Sequence, residues 1–139
     1  MRRKLFRPFL AAGLLVTVAA CDSGSLTAPT QPGPSPTVTD TFTGTLSING
    51  AMTYTFTSIG AGTLQATLKT VLPDSTIPVG FSVGIWNGTT CQITLANDNA
   101  FQGTVILGNV NGSGVLCTRV HDVGKLVDAA SFEITIVHP

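Results

Sequence analysis

Polar and apolar residues alternate with a period of two along most of the chain after position 38. This period is typical of β-strands with one face on a core and one in water, and no window of ten residues carries the period of an amphipathic helix. We therefore predict short antiparallel strands with polar outer faces. The alternating segments lie at 41–48, 52–57, 64–68, 79–85, 91–95, 105–107, 116–120 and 132–136.

Turn sequences separate these segments. Asn49-Gly50 and Asn87-Gly88 are dipeptides typical of two-residue hairpin turns, and Asn111 to Gly114 forms a third turn. About eight short strands, with turns roughly every 8–12 residues, are typical of a sandwich or a small barrel. Residues 38–139 are therefore predicted to form one all-β domain, an antiparallel β-sandwich.

The first twenty residues have a different pattern, which predicts an export signal. Four basic residues within positions 2–7 precede an uncharged run from Phe9 to Ala20. The sequence Val18-Ala19-Ala20-Cys21 resembles the lipobox of bacterial lipoproteins. The resemblance implies cleavage after residue 20, lipidation of Cys21, and a place in the bacterial cell envelope, on the exported side of the inner or outer membrane. The alternative is an ordinary secretory signal with a chance cysteine near its cleavage site.

Residues 21–37 are predicted to be a linker without a fold of its own. The segment is rich in Ser, Thr, Pro and Gly, with prolines at 29, 32, 34 and 36. Such a composition buries too little apolar surface to fold, and alternating prolines favour an extended spacer. A spacer of this length would allow the folded domain to stand off the bilayer without touching it.

Cleavage also changes the charge of the chain, whose formal total is zero. The remaining residues contain three basic side chains, Lys69, Arg119 and Lys125, against seven acidic ones, which gives a net charge of −4. A mildly acidic chain argues against nucleic acid as a partner and against a basic membrane-binding patch. Attachment to the membrane would then depend on the covalent lipid.

Cys91 and Cys117 are the two cysteines that remain after Cys21. An even pair in an exported chain predicts a disulfide; the alternatives are metal ligation and two free thiols. The strand pattern creates a conflict, because Cys117 would point outward while Cys91 shares a face with inward residues at 93 and 95. Either a β-bulge intervenes or one facing assignment is wrong.

The domain resembles the bacterial pre-peptidase C-terminal type of β-sandwich over residues 40–137. The resemblance rests mainly on Asp40-Thr41-Phe42-Thr43-Gly44, Tyr54-Thr55-Phe56 and Phe132 to Ile136. It implies a jelly-roll-like fold and a non-catalytic accessory role. The segment Val79 to Trp86 lacks the acidic residues that this family often has there, which puts any family calcium site in doubt.

Four residues are candidates for ligand binding. Trp86, followed by Asn87, would form an exposed platform for a sugar if Ile85 points inward, although packing is the alternative. Asp98 and Asp122 are weak candidate calcium ligands, and ordinary Asx turns are the favoured alternative. No cofactor is predicted.

Catalytic signatures are weak. His121-Asp122 resembles the HD pair of metal phosphohydrolases in two letters alone, and there is no G-x-S-x-G nucleophile motif. We therefore expect a membrane-tethered, non-catalytic envelope lipoprotein with a structural or binding domain. Its partners would be the membrane, through the lipid, and an envelope protein or glycan. A carbohydrate-binding or adhesin-type module and a small hydrolase are the alternatives.

Overall fold

The computed structural model describes Gly33 and residues 36–139. The predicted signal peptide, Cys21 and most of the linker lie outside the described residues. Within them the regular structure consists of eight strands and no helix. The strands are β1 (Val38–Leu46), β2 (Ala51–Ser58), β3 (Ala61–Leu72), β4 (Val79–Trp86), β5 (Cys91–Ala100), β6 (Val105–Asn111), β7 (Gly114–His121) and β8 (Ala130–His138).

The strands form two four-stranded antiparallel sheets, which confirms the predicted β-sandwich. Their orders are β1-β8-β3-β6 and β2-β7-β4-β5. Strand β1 pairs with β8, β2 with β7, β3 with β6 and β4 with β5, as in a long hairpin rolled up on itself. This connectivity defines a jelly roll.

The antiparallel register gives the domain two distinct ends. The lower end is defined by Val38, where the chain enters β1, by Pro139 and by the loops at 59–60, 87–90 and 112–113. The upper end is defined by the loops at 47–50, 73–78, 101–104 and 122–129. The predicted linker therefore joins the domain at its lower end.

The core lies between the sheets and follows the predicted alternation. In β8 every second residue from Ala130 to His138 is buried, because the intervening residues face outward. The largest fully buried side chain is that of Phe81 in β4. Polar side chains that are buried as a whole have hydrogen-bond partners, as the Thr118 hydroxyl shows by donating to the Ser82 carbonyl at 3.0 Å. Satisfying such a group avoids the cost of an unpaired buried dipole.

The D-x-F-x-G segment of β1 has a packing explanation. Asp40, Phe42 and Gly44 all face inward: the Phe42 ring stacks on Tyr54 with centroids 4.9 Å apart. Gly44 leaves room for the Tyr54 side chain, whose hydroxyl a Cβ at that position would strike. The Tyr54 hydroxyl donates to the Thr43 carbonyl at 2.9 Å. The motif therefore serves the sandwich core.

One of the two predicted hairpin turns is wrong. Asn49, with φ of 56°, does form a tight turn with Gly50, whose N–H donates to the Ser47 carbonyl. The turn links β1 and β2, however, which belong to different sheets and do not pair. Asn87-Gly88 does close the β4–β5 hairpin, within a four-residue loop from Asn87 to Thr90.

Strand β6 also departs from the expected facing. Val105 and Leu107, the residues that predicted it, are exposed, whereas Ile106 between them is buried. Val105 and Leu107 lie on the outer face of the sheet, which is open to solvent, and Ile106 lies on the inner face. Exposed apolar residues on such a face are ordinary when they are isolated.

Candidate functional site

A groove opens between the two sheets at the lower end, where edge strands β5 and β6 face each other. Its volume is about 550 Å³, which lies in the range of about 300–1,000 Å³ that small-molecule sites occupy. The lining contains no charged side chain. Its apolar side chains are those of Leu64, Val83, Ile85, Trp86, Leu95, Val110, Val115 and Leu116.

A β-bulge in β5 shapes this groove. Val83 is opposite Leu95 and Gly84 is opposite Ile93, so Thr94 between them has no partner. The extra residue reverses the facing of the strand. Leu95 thus points between the sheets, where it approaches Gly108 of β6. The side chains of Cys91 and Ile93, which precede the bulge, point to the outer face of the sheet.

The same bulge resolves the predicted conflict between the cysteines. Cys91 lies before the bulge, on the outer face that Cys117 also shares, and the two form the predicted disulfide, with Cα atoms 5.8 Å apart. Strands β5 and β7 flank β4, so their normal separation would be about 9.5 Å. The lower end of β5 therefore bends over β4, and Gly84 makes room because a Cβ there would strike the Gln92 carbonyl.

Trp86 is half-buried at the lower end of β4 and lines the groove. Ile85 lies on the inward face of β4 with Val83, opposite Leu116 of β7, and lines the groove, as predicted. It is nevertheless exposed, because the groove opens to solvent there. Trp86 lies on the other face of β4 and is half-buried, where the sequence predicted an exposed ring.

Asn87, the second predicted ligand-binding residue, has structural partners. Its Oδ1 accepts from the N–H groups of Thr89 and Thr90, at 2.9 and 2.8 Å. Its Nδ2 donates to the Thr90 hydroxyl at 3.1 Å. These bonds are those of an Asx turn, and they hold the β4–β5 loop in shape.

A shallower pocket lies on the outer face of the β2-β7-β4-β5 sheet. It has a volume of about 400 Å³ and is lined by Ala51, Thr53, Trp86, Thr89, Thr90, Cys91 and Arg119. Arg119 has no salt bridge to any of the residues that the structure describes. Sequence reasoning missed Arg119 as a site residue, and its only signal was that it is a rare cation in this chain.

The candidate calcium ligands are not brought together as a metal site. Asp98 lies in β5, 3.6 Å from the Nε2 atom of His121. Asp122 follows β7, and its carboxylate accepts hydrogen bonds from backbone N–H groups. No cluster of three or more His, Cys, Asp or Glu residues suited to a metal occurs among residues 36–139.

Asp122 braces the upper end. Its Oδ2 accepts from the Asn49 N–H at 2.9 Å, and its Oδ1 accepts from the N–H groups of Gly124, Lys125 and Leu126 at 2.8 to 3.1 Å. The bond from Asn49 is the largest influence holding the pKa of Asp122 below its ordinary value. The carboxylate thus joins two loops that are 73 residues apart in sequence.

The two histidines have different surroundings. His121 packs against Gly80, where a Cβ would strike the imidazole, and its Nδ1 is buried without a hydrogen-bond partner in the structure. Among the described residues no hydroxyl is hydrogen-bonded to His121, as the base of a serine triad would require. His138 is fully buried, with Nε2 3.1 Å from Asp40 Oδ2 and the ring 4.9 Å from that of Phe56.

Comparison with known protein families and with curated proteins assigns no family to this chain. No protein-family profile matches the chain, and a search of curated proteins finds no significant match. The resemblance to pre-peptidase C-terminal domains therefore stays a prediction. The described part of the chain also contains no helix long and apolar enough to cross a membrane.

Proposed function

We propose that this protein is a lipid-anchored, non-catalytic protein of the bacterial envelope whose jelly-roll domain binds an uncharged apolar ligand in the groove. The lipobox-like sequence ending at Cys21 supports the anchor. The Cys91–Cys117 pairing supports export, since disulfides persist in oxidising compartments.

The observation that carries the binding role is the composition of the groove. Its walls are mainly aliphatic, its rim consists largely of the Gly, Asn and Ser residues between 108 and 114, and no charged side chain lines it. Leu95, in the wall, remains 37% exposed. Covering this surface with an apolar ligand would contribute about 25 cal/mol per Å² of area removed from water.

Trp86 provides a direct measurement of binding because it is the single tryptophan of the chain and lines the groove. We expect 1-lauroylglycerol, an uncharged single-chain probe, to change Trp86 emission saturably below its critical micelle concentration. The variant Leu95→Asn should weaken binding at least about tenfold, by placing an amide in the apolar wall.

Leu107→Asn is the matched control, because Leu107 is 64% exposed on the other edge strand and lies outside the groove. It should bind the probe like the unaltered protein. Equal loss in both variants, or a linear and unsaturable change in emission, would contradict the assignment of the groove as the binding site.

The anchor has an independent test. Cys21→Ser should abolish metabolic labelling with a fatty acid and release the protein from membranes, because one thiol carries the diacylglyceryl group in lipoproteins. The double variant Cys91→Ala/Cys117→Ala should still be labelled. Labelling that survives in Cys21→Ser would refute the anchor.

A second candidate function is binding of an acidic glycan in the outer-face pocket. Trp86 offers an aromatic face, Thr53 and Thr89 offer hydroxyl groups, and Arg119 has no salt bridge among the described residues. An arginine without a protein carboxylate as its partner can form a charge-assisted hydrogen bond with the carboxylate of a ligand. Binding of oligogalacturonate that is lost in Arg119→Met but retained in Lys125→Met would favour this function over the groove.

A further inference from the structure

Formal charges are unevenly distributed between the two ends of the domain. Residues 36–139 contain nine Asp, Glu, Lys and Arg residues. Four lie in upper-end loops, two near the upper ends of β5 and β7, and two near mid-height in β3 and β8. Asp40 is the exception at the lower end, and its carboxylate faces the buried His138.

The lower end presents apolar and uncharged polar side chains with few charges among them, whereas the exposed apolar residues of the upper end, such as Leu72 and Val127, lie among its charged loops. Ile59 in the β2–β3 loop is 62% exposed, and Ile85, Ile93 and Val115 are exposed on the strands that reach this end. Trp86 lies among them, half-buried, at the mouth of the groove. An aromatic ring with one polar atom, set among aliphatic and hydroxyl groups, suits the boundary between lipid headgroups and acyl chains.

The linker also joins the domain at this end, at Val38. From this arrangement we propose that the lower end rests against the surface of the bilayer in which the protein is anchored, with the groove opening toward the lipid. The inference depends on the proposed anchor at Cys21. It adds an orientation of the domain and a source for the apolar ligand, the membrane itself.

Charge explains why this end and not the other would face the lipid. Moving Asp98, Asp128 or Lys125 against acyl chains would remove ionised groups from water at high cost, whereas the lower end has few such groups to desolvate. Contact through the lower end would involve little electrostatic attraction, so it should be insensitive to salt. Local concentration at the membrane, set by the linker, makes even a weak contact effective.

The test places a single tryptophan at either end of the lipidated protein in phosphatidylcholine vesicles with brominated acyl chains, which quench nearby tryptophan. One variant combines Trp86→Phe with Ile59→Trp, at the lower end but outside the groove. The matched variant combines Trp86→Phe with Val127→Trp, at the upper end, where Val127 is 78% exposed. Circular dichroism and the intact disulfide establish that both are folded.

We expect brominated lipid to quench the lower-end tryptophan at least about twofold more than the upper-end one, because interfacial aromatic residues lie at headgroup depth. The difference should persist in high salt. Equal quenching at both ends in vesicle-bound protein would overturn the orientation and leave the anchor intact. Protein that fails to stay with the vesicles would instead refute the anchor, so the two failures are distinguishable.

Discussion

The two ends of this domain are stabilised by different means. At the upper end, a charged side chain, Asp122, holds two loops together through backbone hydrogen bonds. At the lower end, the Cys91–Cys117 disulfide and the close approach of β5 to Gly84 hold an uncharged surface together. A covalent link keeps a surface rigid without placing a charge on it. The lower end thereby keeps its shape without a charged group, as the proposed contact with apolar partners requires.

Among the changes that test this difference between the two ends, removal of the disulfide should lower the stability of the domain most. The double variant Cys91→Ala/Cys117→Ala frees a loop of 26 residues, which should lower the free energy of unfolding by about 3.5 kcal/mol in the chain-entropy model. Urea unfolding of the mature protein measures it, and reduction of the unaltered protein is the control. A loss below about 1 kcal/mol would mean that β5 is held over β4 by packing alone.

Gly84 tests the same region without touching a covalent bond. In Gly84→Ala, the new methyl group would strike the backbone of Gln92, which cannot move without shifting β5. We expect a loss of about 1–3 kcal/mol in the free energy of unfolding, the usual cost of overpacking. Gly114→Ala, a strand position where a Cβ meets no atom within 4 Å, should be nearly neutral. Equal losses in both variants would contradict the close approach.

The sequence predicted the fold well because burial in a sandwich has the same period as the strands. The alternation in β8, from Ala130 to His138, is the pattern of its burial. The prediction of a hairpin at Asn49-Gly50 was wrong, because a turn sequence specifies a reversal of the chain but not whether the two strands pair. The sheet order decides that question, and it depends on contacts between strands far apart in sequence.

The site was less predictable for a related reason. The sequence identified Trp86 and the disulfide, because a lone tryptophan and an even cysteine pair are visible in composition. The bulge at Thr94 leaves no such mark, so the sequence placed Cys91 and Ile93 on the inward face with Leu95, whereas only Leu95 points inward. The bonds of Asp122 to Asn49 and of His138 to Asp40 join residues 73 and 98 positions apart, which periodicity does not reveal.

The contribution of Asp122 to the stability of the upper end should depend on pH. Because hydrogen bonding lowers the pKa of folded Asp122, its contribution to stability is present above the pKa of the unfolded chain and disappears as pH falls through the lowered value. Asp122→Asn should therefore destabilise the domain at neutral pH, and the difference should shrink in strong acid. Asp74→Asn is the control, since hydrogen bonds from Thr76 lower the pKa of Asp74 within a single loop. A difference that is constant with pH would show that geometry, not charge, matters at Asp122.

The smallest effect is expected at Asn87, where it separates a structural role from a binding role. Asn87→Ala removes the bonds to Thr89 and Thr90 and should lower the free energy of unfolding by about 1 kcal/mol, the net value of exposed hydrogen bonds. Because Asn87 does not line the groove, the affinity for 1-lauroylglycerol should stay unchanged. Trp86 emission reports both properties, in a titration with the probe for affinity and in a separate urea titration for stability. A tenfold loss of affinity in a stable variant would return Asn87 to the binding site and would extend the site from the apolar groove to the loop beside it.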